Sequence, residues 1–286
     1  MNWERELPKG SKLRFNITQT VMAAICIILI AFGVYSVSMS STGDNGSNEP
    51  KNSAANVFSS LHYYESERQT RYEAYATRKP EMPAADVVWR VNAELDTMFY
   101  SKVNTVSDFS FPILVNKFNK LPDDYEPKGL MNTSSGQMMT AETKAAYEAM
   151  RDGAGETGFH INAVSAYKSI EYQKGYYNKV VMELGKEDAD KRIPRAGFSE
   201  HHLGTAVDLA INGSTAENFV STPEAAWVAE NAHLYGFIVR YTEENTDITG
   251  YIPQPWQVTY VGVEISERMK REGINSLEEY YVKYMH

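Results

Sequence analysis

Residues 198–210 read FSEHHLGTAVDLA. The stretch opens polar, bends at a glycine and then alternates as a strand does. On TAVDLA, Thr205, Val207 and Leu209 take one face, and Ala206, Asp208 and Ala210 the other. Asp208 therefore shares its face with two alanines, which leaves room for something to bind in front of the carboxylate. His201 precedes Gly204 by three residues, and glycine permits a tight bend with close backbone approach, so imidazole and carboxylate are placed across the turn from each other. Two readings fit that spacing: a pair of zinc ligands, or a capping histidine beside a hydrogen-bonded aspartate. Two ligands do not make a zinc site, which in hydrolases takes three protein groups and a water.

The chain around this stretch has 286 residues, 43% of them apolar, enough for one large domain or two small ones. Its 28 Lys and Arg against 37 Asp and Glu give a formal net charge of -9, with no basic patch of the size nucleic acid requires. Near the N-terminus, Arg5, Lys9, Lys12 and Arg14 precede VMAAICIILIAFGV (21–34), and YSVSM carries the run to Met39. At ~1.5 Å per helical residue this run reaches ~28 Å, close to the ~30 Å hydrocarbon core of a bilayer. The expected organisation is a cytoplasmic N-terminus (1–19), a transmembrane signal anchor (20–39) and a flexible linker (40–57), with the remainder outside the cell. The rival reading is a cleaved signal peptide, since Ser36 and Ser38 stand where a peptidase could cut. Cys26 is the one cysteine and lies inside the apolar run, so the exported part holds no disulfide and any metal there must use His, Asp or Glu.

Beyond the linker, composition turns globular. ESERQTRYEAYATRK (65–79) and PAADVVWRVNAELD (83–96) read as amphipathic helices, FPILVNKF (111–118) as a strand and LPDDYEP (121–127) as a turn. TAETKAAYEAM (140–150) has a threonine N-cap, and SIEYQKGYYNKVVMEL (169–184) has helical periodicity that Gly175 interrupts. TAVDLAI (205–211), FIVRY (237–241) and QVTYVG (257–262) read as strands, STPEAAWVAENAHLYG (221–236) as a capped helix, and two helices close the chain. Helices and short strands without regular βαβ alternation give an α+β class.

SEHHLGTAVD (199–208) resembles the S-x-H-x-x-G-x-A-x-D signature of the VanY-type zinc D-alanyl-D-alanine carboxypeptidases. SAYKSIEYQ (165–173) is similar to that family's S-G-Y-R-S-x-x-x-Q segment, ILVNKFNKLPDDYEP (113–127) to the opening of its core domain, and YGFIVRY with TGYIPQPWQVTYVG to its closing segments. The likeness runs in order from about Arg71 to Tyr280. It implies the D-Ala-D-Ala carboxypeptidase (hedgehog/DD-peptidase-like) fold, a small mostly antiparallel sheet with flanking helices. On that basis residues 58–110 form an N-terminal helical part and 111–286 the carboxypeptidase-like core.

Carried over residue by residue, the resemblance makes His201 and Asp208 two of three zinc ligands. His202 falls at a variable position and is expected to point elsewhere. Ser165, Tyr167, Lys168, Gln173, Ser199 and Trp256 fall in substrate-binding segments. The family's E-P-W-H-x-R-Y-V-G segment, holding the general base and third ligand, here reads QPWQVTYVG. Gln254 stands at the base, Gln257 at the ligand and Thr259 at the arginine, while Lys168 replaces the arginine that clamps the substrate carboxylate and developing oxyanion. An amide cannot accept a proton from metal-bound water. Its carbonyl oxygen is a poor zinc ligand, and lysine lacks arginine's bidentate fork. The other histidines are His62, His160, His233 and His286; His233 falls late in the helix ending at Gly236, where a histidine is usually structural, and His160 precedes a strand near SAYKS. The expectation is a membrane-anchored, extracellular protein that binds peptidoglycan stem peptides, with zinc as the implied cofactor, an incomplete ligand set and impaired hydrolysis. The alternatives are an active zinc D,D- or L,D-carboxypeptidase with unusual ligands, or a structural domain of a cell-envelope complex. The four departures are expected to act together, so that reverting all of them restores zinc binding.

Overall fold

A computed structural model describes residues 55–285. The expected cytoplasmic segment, the membrane anchor and nearly all of the linker lie outside the described residues. Among the described residues, no helix is long and apolar enough to cross a membrane.

After a single helical turn (Ala55–Phe58) and a 3-10 turn (Ser66–Arg68), helices α1 (Gln69–Arg78) and α2 (Ala84–Asn92) follow. Val87, Val88, Trp89 and Val91 of α2 bury against Tyr72 and Tyr75 of α1, and Ile248 and Val282 from far down the chain complete this core. α2 stops short of the expected residue 96 because Glu94 takes φ 64, outside the helical region. The Glu94 side chain turns inward to Arg68, Arg71 and Lys102, at 2.7, 2.7 and 2.8 Å.

The second half builds the sheet. α3 (Ala141–Glu156) starts where the Thr140 side chain accepts the Thr143 N–H, and is followed by β1 (Asn162–Ser165). Ser169 caps α4 (Ile170–Leu184) in the same way. That helix runs unbroken through Gly175, an exposed position where the missing side chain costs only about 1 kcal/mol of helix propensity. α5 (Lys186–Arg192), a 3-10 turn (Glu200–Leu203) and β2 (Ala206–Ala210) lead into α6 (Pro223–Asn231), with Thr222 as its cap. β3 (Phe237–Tyr241), β4 (Gln254–Tyr260), α7 (Val263–Glu272) and α8 (Leu277–Tyr284) complete the order. The four strands form one antiparallel sheet in the order β1-β2-β4-β3. Val207, Leu209, Val258 and Phe237 pack beneath it with Tyr147, Met150 and Ala154 of α3 and Val228 of α6.

The expected strand over 111–118 does not form; only Asn116 makes an isolated bridge, to Asn119. Leu114 and Val115 bury in two different clusters, so the apolar residues anchor the segment in separate directions. The Asn116 side chain meanwhile accepts the N–H groups of Phe118 and Asn119, closing a turn where a ladder would need extended backbone.

Arg240 of β3 is 1% exposed and bridges two carboxylates. Its Nε donates to Glu200 at 2.7 Å and its Nη2 to Glu278 of α8 at 2.7 Å. Thr259 Oγ1 donates to the other Glu200 oxygen at 2.6 Å, and Asn116 Nδ2 to Glu278 at 3.1 Å. Burial opposes the Arg240 charge, but Glu200 and Glu278 overcome it and hold the guanidinium pKa well above its ordinary value.

Burial likewise pushes the Glu94 carboxyl up, while its bonds to Arg71, Lys102 and Arg68 bring it down to about 2 from 4.5. The ionised group therefore stabilises the fold above pH 4.5, and this contribution disappears as pH falls through about 2. At about 1.4 kcal/mol per pKa unit, the contribution is on the order of 3 kcal/mol. Glu94→Gln is expected to lower stability near neutral pH by that order and to flatten the acid limb of the stability curve. Urea unfolding at a series of pH values measures both, and an acid limb unchanged in the variant would count against the assignment.

Candidate functional site

The EHH turn decides where the cleft side chains stand. Ser199 Oγ accepts the His201 N–H, and Gly204 closes the turn in the left-handed region at φ 73. A Cβ on Gly204 would come within 2.7 Å of the Leu130 side chain and 3.3 Å of the Thr140 backbone nitrogen, so glycine is required for both conformation and space. A carbonyl oxygen only accepts, so each histidine Nδ1 facing one carries the proton. His201 Nδ1 donates to the Ala166 carbonyl at 2.6 Å and His202 Nδ1 to the Lys168 carbonyl at 2.6 Å. The Lys168 N–H donates in return to the His201 carbonyl at 3.2 Å. The two histidines thus hold the AYK segment from both sides.

His202 does more than the variable position suggested. Its Nε2 accepts the Gly197 N–H at 3.1 Å, so both ring nitrogens are engaged and the ring is neutral. Burial brings its pKa down to about 4.

A cleft of about 260 Å³ lies between α4 and the β2–β4 pair. Lys168, Gln173, Ser199, His201, Asp208, Gln254, Trp256 and Gln257 all line it. Asp208 and Gln257 are cross-strand partners, so their side chains rise from the same face. His201 Nε2 faces Asp208 Oδ1 at 3.3 Å. Lys168 Nζ donates to Asp208 Oδ2 at 2.9 Å. Burial alone would raise the Asp208 pKa; its neighbours His201 and Lys168 reverse this and hold the carboxyl well below its usual range. A larger groove of about 530 Å³ beside β3 and α7 contains none of these residues.

The remaining candidates stand apart or are structurally engaged. Gln254 Nε2 donates to the Arg192 carbonyl at 3.0 Å, and Gln173 Nε2 to the Pro194 carbonyl at 2.8 Å. Both amides therefore hold the 192–194 backbone at the cleft wall. Ser165 pairs with Asp208 across β1 and β2 but does not line the cleft, and neither does Tyr167, whose hydroxyl pKa is raised by burial and by Glu126. Thr259 lies on the Asp208 face, two cross-strand pairs along opposite Ala206, where it serves the Arg240 network. It lies outside the cleft, so reverting it cannot contribute directly to zinc binding there. The structure adds Tyr176, Glu183, Arg192 and Glu217 to the lining. Tyr176 and Glu183 lie in the helix read at 169–184, but its periodicity alone does not show what faces the sheet across a gap.

The D-alanyl-D-alanine carboxypeptidase (VanY) family profile matches residues 136–263, which contain every one of these cleft residues. A D-alanyl-D-alanine carboxypeptidase of Enterococcus faecalis is 30% identical over 220 residues, covering 72% of this chain and 80% of that protein. One from Enterococcus faecium is 35% identical over 167 residues, covering 58% of this chain and 50% of that protein. Among solved structures, the LdcB LD-carboxypeptidase, described as revealing the molecular basis of peptidoglycan recognition, aligns with a TM-score of 0.59 at 32% identity. That alignment covers 63% of this chain and 90% of LdcB. A VanY D,D-pentapeptidase from a VanB-type resistance cassette, in complex with Zn(II), aligns with a TM-score of 0.53 at 31% identity, covering 59% and 97%. The chain belongs to the VanY-type D-alanyl-D-alanine carboxypeptidase family.

Thr259→Arg would place a second guanidinium beside Arg240 at a position 3% exposed. The change is expected to destabilise the domain by about 1–3 kcal/mol through overpacking and like charge. Chemical denaturation of the single variant gives the figure; equal or greater stability than the parent would contradict it.

Proposed function

We propose that this protein binds peptidoglycan stem peptides in the cleft over β2 and β4 without zinc-dependent hydrolysis. The observation that carries the proposal is the pair of glutamines at the functional positions of β4. Gln254 is an amide whose nitrogen is committed to the Arg192 carbonyl, and an amide has no basic lone pair to take a proton from an attacking water. Gln257 sets a neutral amide beside Asp208, where the family resemblance requires an imidazole. His201 keeps the presentation of a metal-binding histidine, with one ring nitrogen on a backbone carbonyl and the other toward a carboxylate. One imidazole, one carboxylate already paired with an ammonium, and one amide do not fit zinc, which takes three anionic or imidazole donors in hydrolytic sites. Among the described residues, no group of three or more His, Cys, Asp and Glu side chains is gathered to replace the missing ligand.

What this chain's own residues supply is a preformed groove. Tyr176 and Trp256 offer apolar walls, Arg192 and the acidic pair Glu183 and Glu217 offer charge, and the His201–Lys168 backbone bonds fix the shape. The D-Ala-D-Ala and peptidoglycan chemistry of the relatives makes a stem peptide the favoured occupant. In this proposal residues 20–39 anchor the chain in the membrane, 40–57 act as a tether, and the domain from residue 58 works on the wall side.

The purified full chain, incubated with a pentapeptide stem ending in D-Ala-D-Ala with and without added zinc, is expected to release no D-alanine while binding the peptide in calorimetry. Steady zinc-dependent turnover would overturn the proposal in favour of an active carboxypeptidase. Absence of binding to any stem peptide or muropeptide would favour a purely structural role.

A further inference from the structure

Asp208 is 8% exposed, and an ionised carboxylate at such a depth needs a compensating positive charge. Lys168 provides one: its Nζ lies 2.9 Å from Oδ2, with the two side chains 16% and 11% exposed. Three hydrogen bonds fix the lysine there. The His202 ring donates to its carbonyl, its own N–H donates to the His201 carbonyl, and the His201 ring holds Ala166 two residues earlier. The lysine thus enters the cleft from a backbone clamped by the same turn that presents His201.

We propose that the Lys168 ammonium is the resident cation of this cleft, neutralising Asp208 where a metal ion would otherwise do so, and that the site is electrostatically complete without metal. This deepens the non-hydrolytic reading above and rests on it for the identity of the site. Three features point the same way. The ammonium occupies Oδ2 at hydrogen-bonding distance, which leaves a metal only Oδ1, the oxygen that faces His201 Nε2 at 3.3 Å. Its positive charge, added to that of any incoming dication, repels that ion. The amide of Gln257 offers no strong third donor to offset that repulsion. A further consequence concerns ligands. The charge of Lys168 is spent inside the protein, so the lysine acts as a positioning residue for Asp208 and not as a free clamp for a peptide carboxylate.

Two measurements test this. First, zinc affinity of the full chain is compared with that of Lys168→Met by titration in metal-free buffer. Removing the competing cation is expected to tighten zinc binding by roughly tenfold or more, within the range that altering a group beside a metal ligand produces. Lys168→Arg, which keeps the charge, is expected to stay as indifferent to zinc as the parent. Equal zinc affinity in the parent and Lys168→Met would overturn the proposal. Second, thermal unfolding is followed for Lys168→Met, Asp208→Asn and the double variant. Losing the lysine is expected to lower the melting temperature in the parent and to have little effect once Asp208 is neutral. An equal loss in both backgrounds would show that Lys168 serves packing alone, and would also overturn it. The assays separate the two proposals. D-Alanine release by a metal-free parent would refute the non-hydrolytic reading alone, and a zinc-loaded parent without turnover would refute the resident-cation reading alone.

Discussion

The buried bridge between Arg240 and the carboxylates of Glu200 and Glu278 ties together parts of the chain that no ladder connects. Glu200 belongs to the turn that carries His201, Arg240 to β3 and Glu278 to α8, and Thr259 of β4 donates into the same cluster. Burying such charges is costly, and a hydrophobic replacement of similar volume would often be as stable. What the cluster supplies is position. Each carboxylate oxygen it uses has a donor in a defined direction, so the turn before β2 cannot shift without leaving a buried charge unpaired. The cleft inherits that constraint, because Glu200 and His201 are adjacent.

From this fixed turn the polar logic of the cleft follows outward. The two histidine rings, each donating its Nδ1–H to a backbone carbonyl, hold the AYK backbone and aim Lys168 at Asp208. The opposite wall is held by amides, Gln173 and Gln254, which bond the carbonyls of Pro194 and Arg192. A glutamine is suited to that second task because it donates, which an ionised glutamate cannot do. The Gln254 amide therefore fastens the cleft wall and is integrated into the fold.

Much of this was legible in the chain. Caps at Thr140 and Thr222 start their helices where hydroxyl residues precede apolar periodicity, because a side-chain oxygen can satisfy an otherwise unbonded N–H there. The alternation in TAVDLA puts Asp208 on the cleft face, since a strand's period of two leaves no other choice. The segment 111–118 misled because a run of apolar residues does not specify whether they share one face or bury in separate clusters, as Leu114 and Val115 do. Gly175 misled in the opposite direction: one exposed glycine is too small a cost to break a helix of 15 residues. Thr259 and His202 were assigned by position in a motif, and what each does depends on residues tens of positions away.

The sequence by itself determined the family, the strand bearing Asp208 and the presence of two amides, Gln254 and Gln257, on the closing strand, because residue identity and order suffice for these. Only the tertiary structure decided that Lys168 pairs with Asp208, that His202 fastens Lys168, and that Thr259 belongs to a buried network away from the cleft. The physical reason is that these are side-chain contacts to groups 34 to 59 residues away in the chain. Their partners are set by how strands and turns pack, and no local pattern in the chain encodes which charge will meet which.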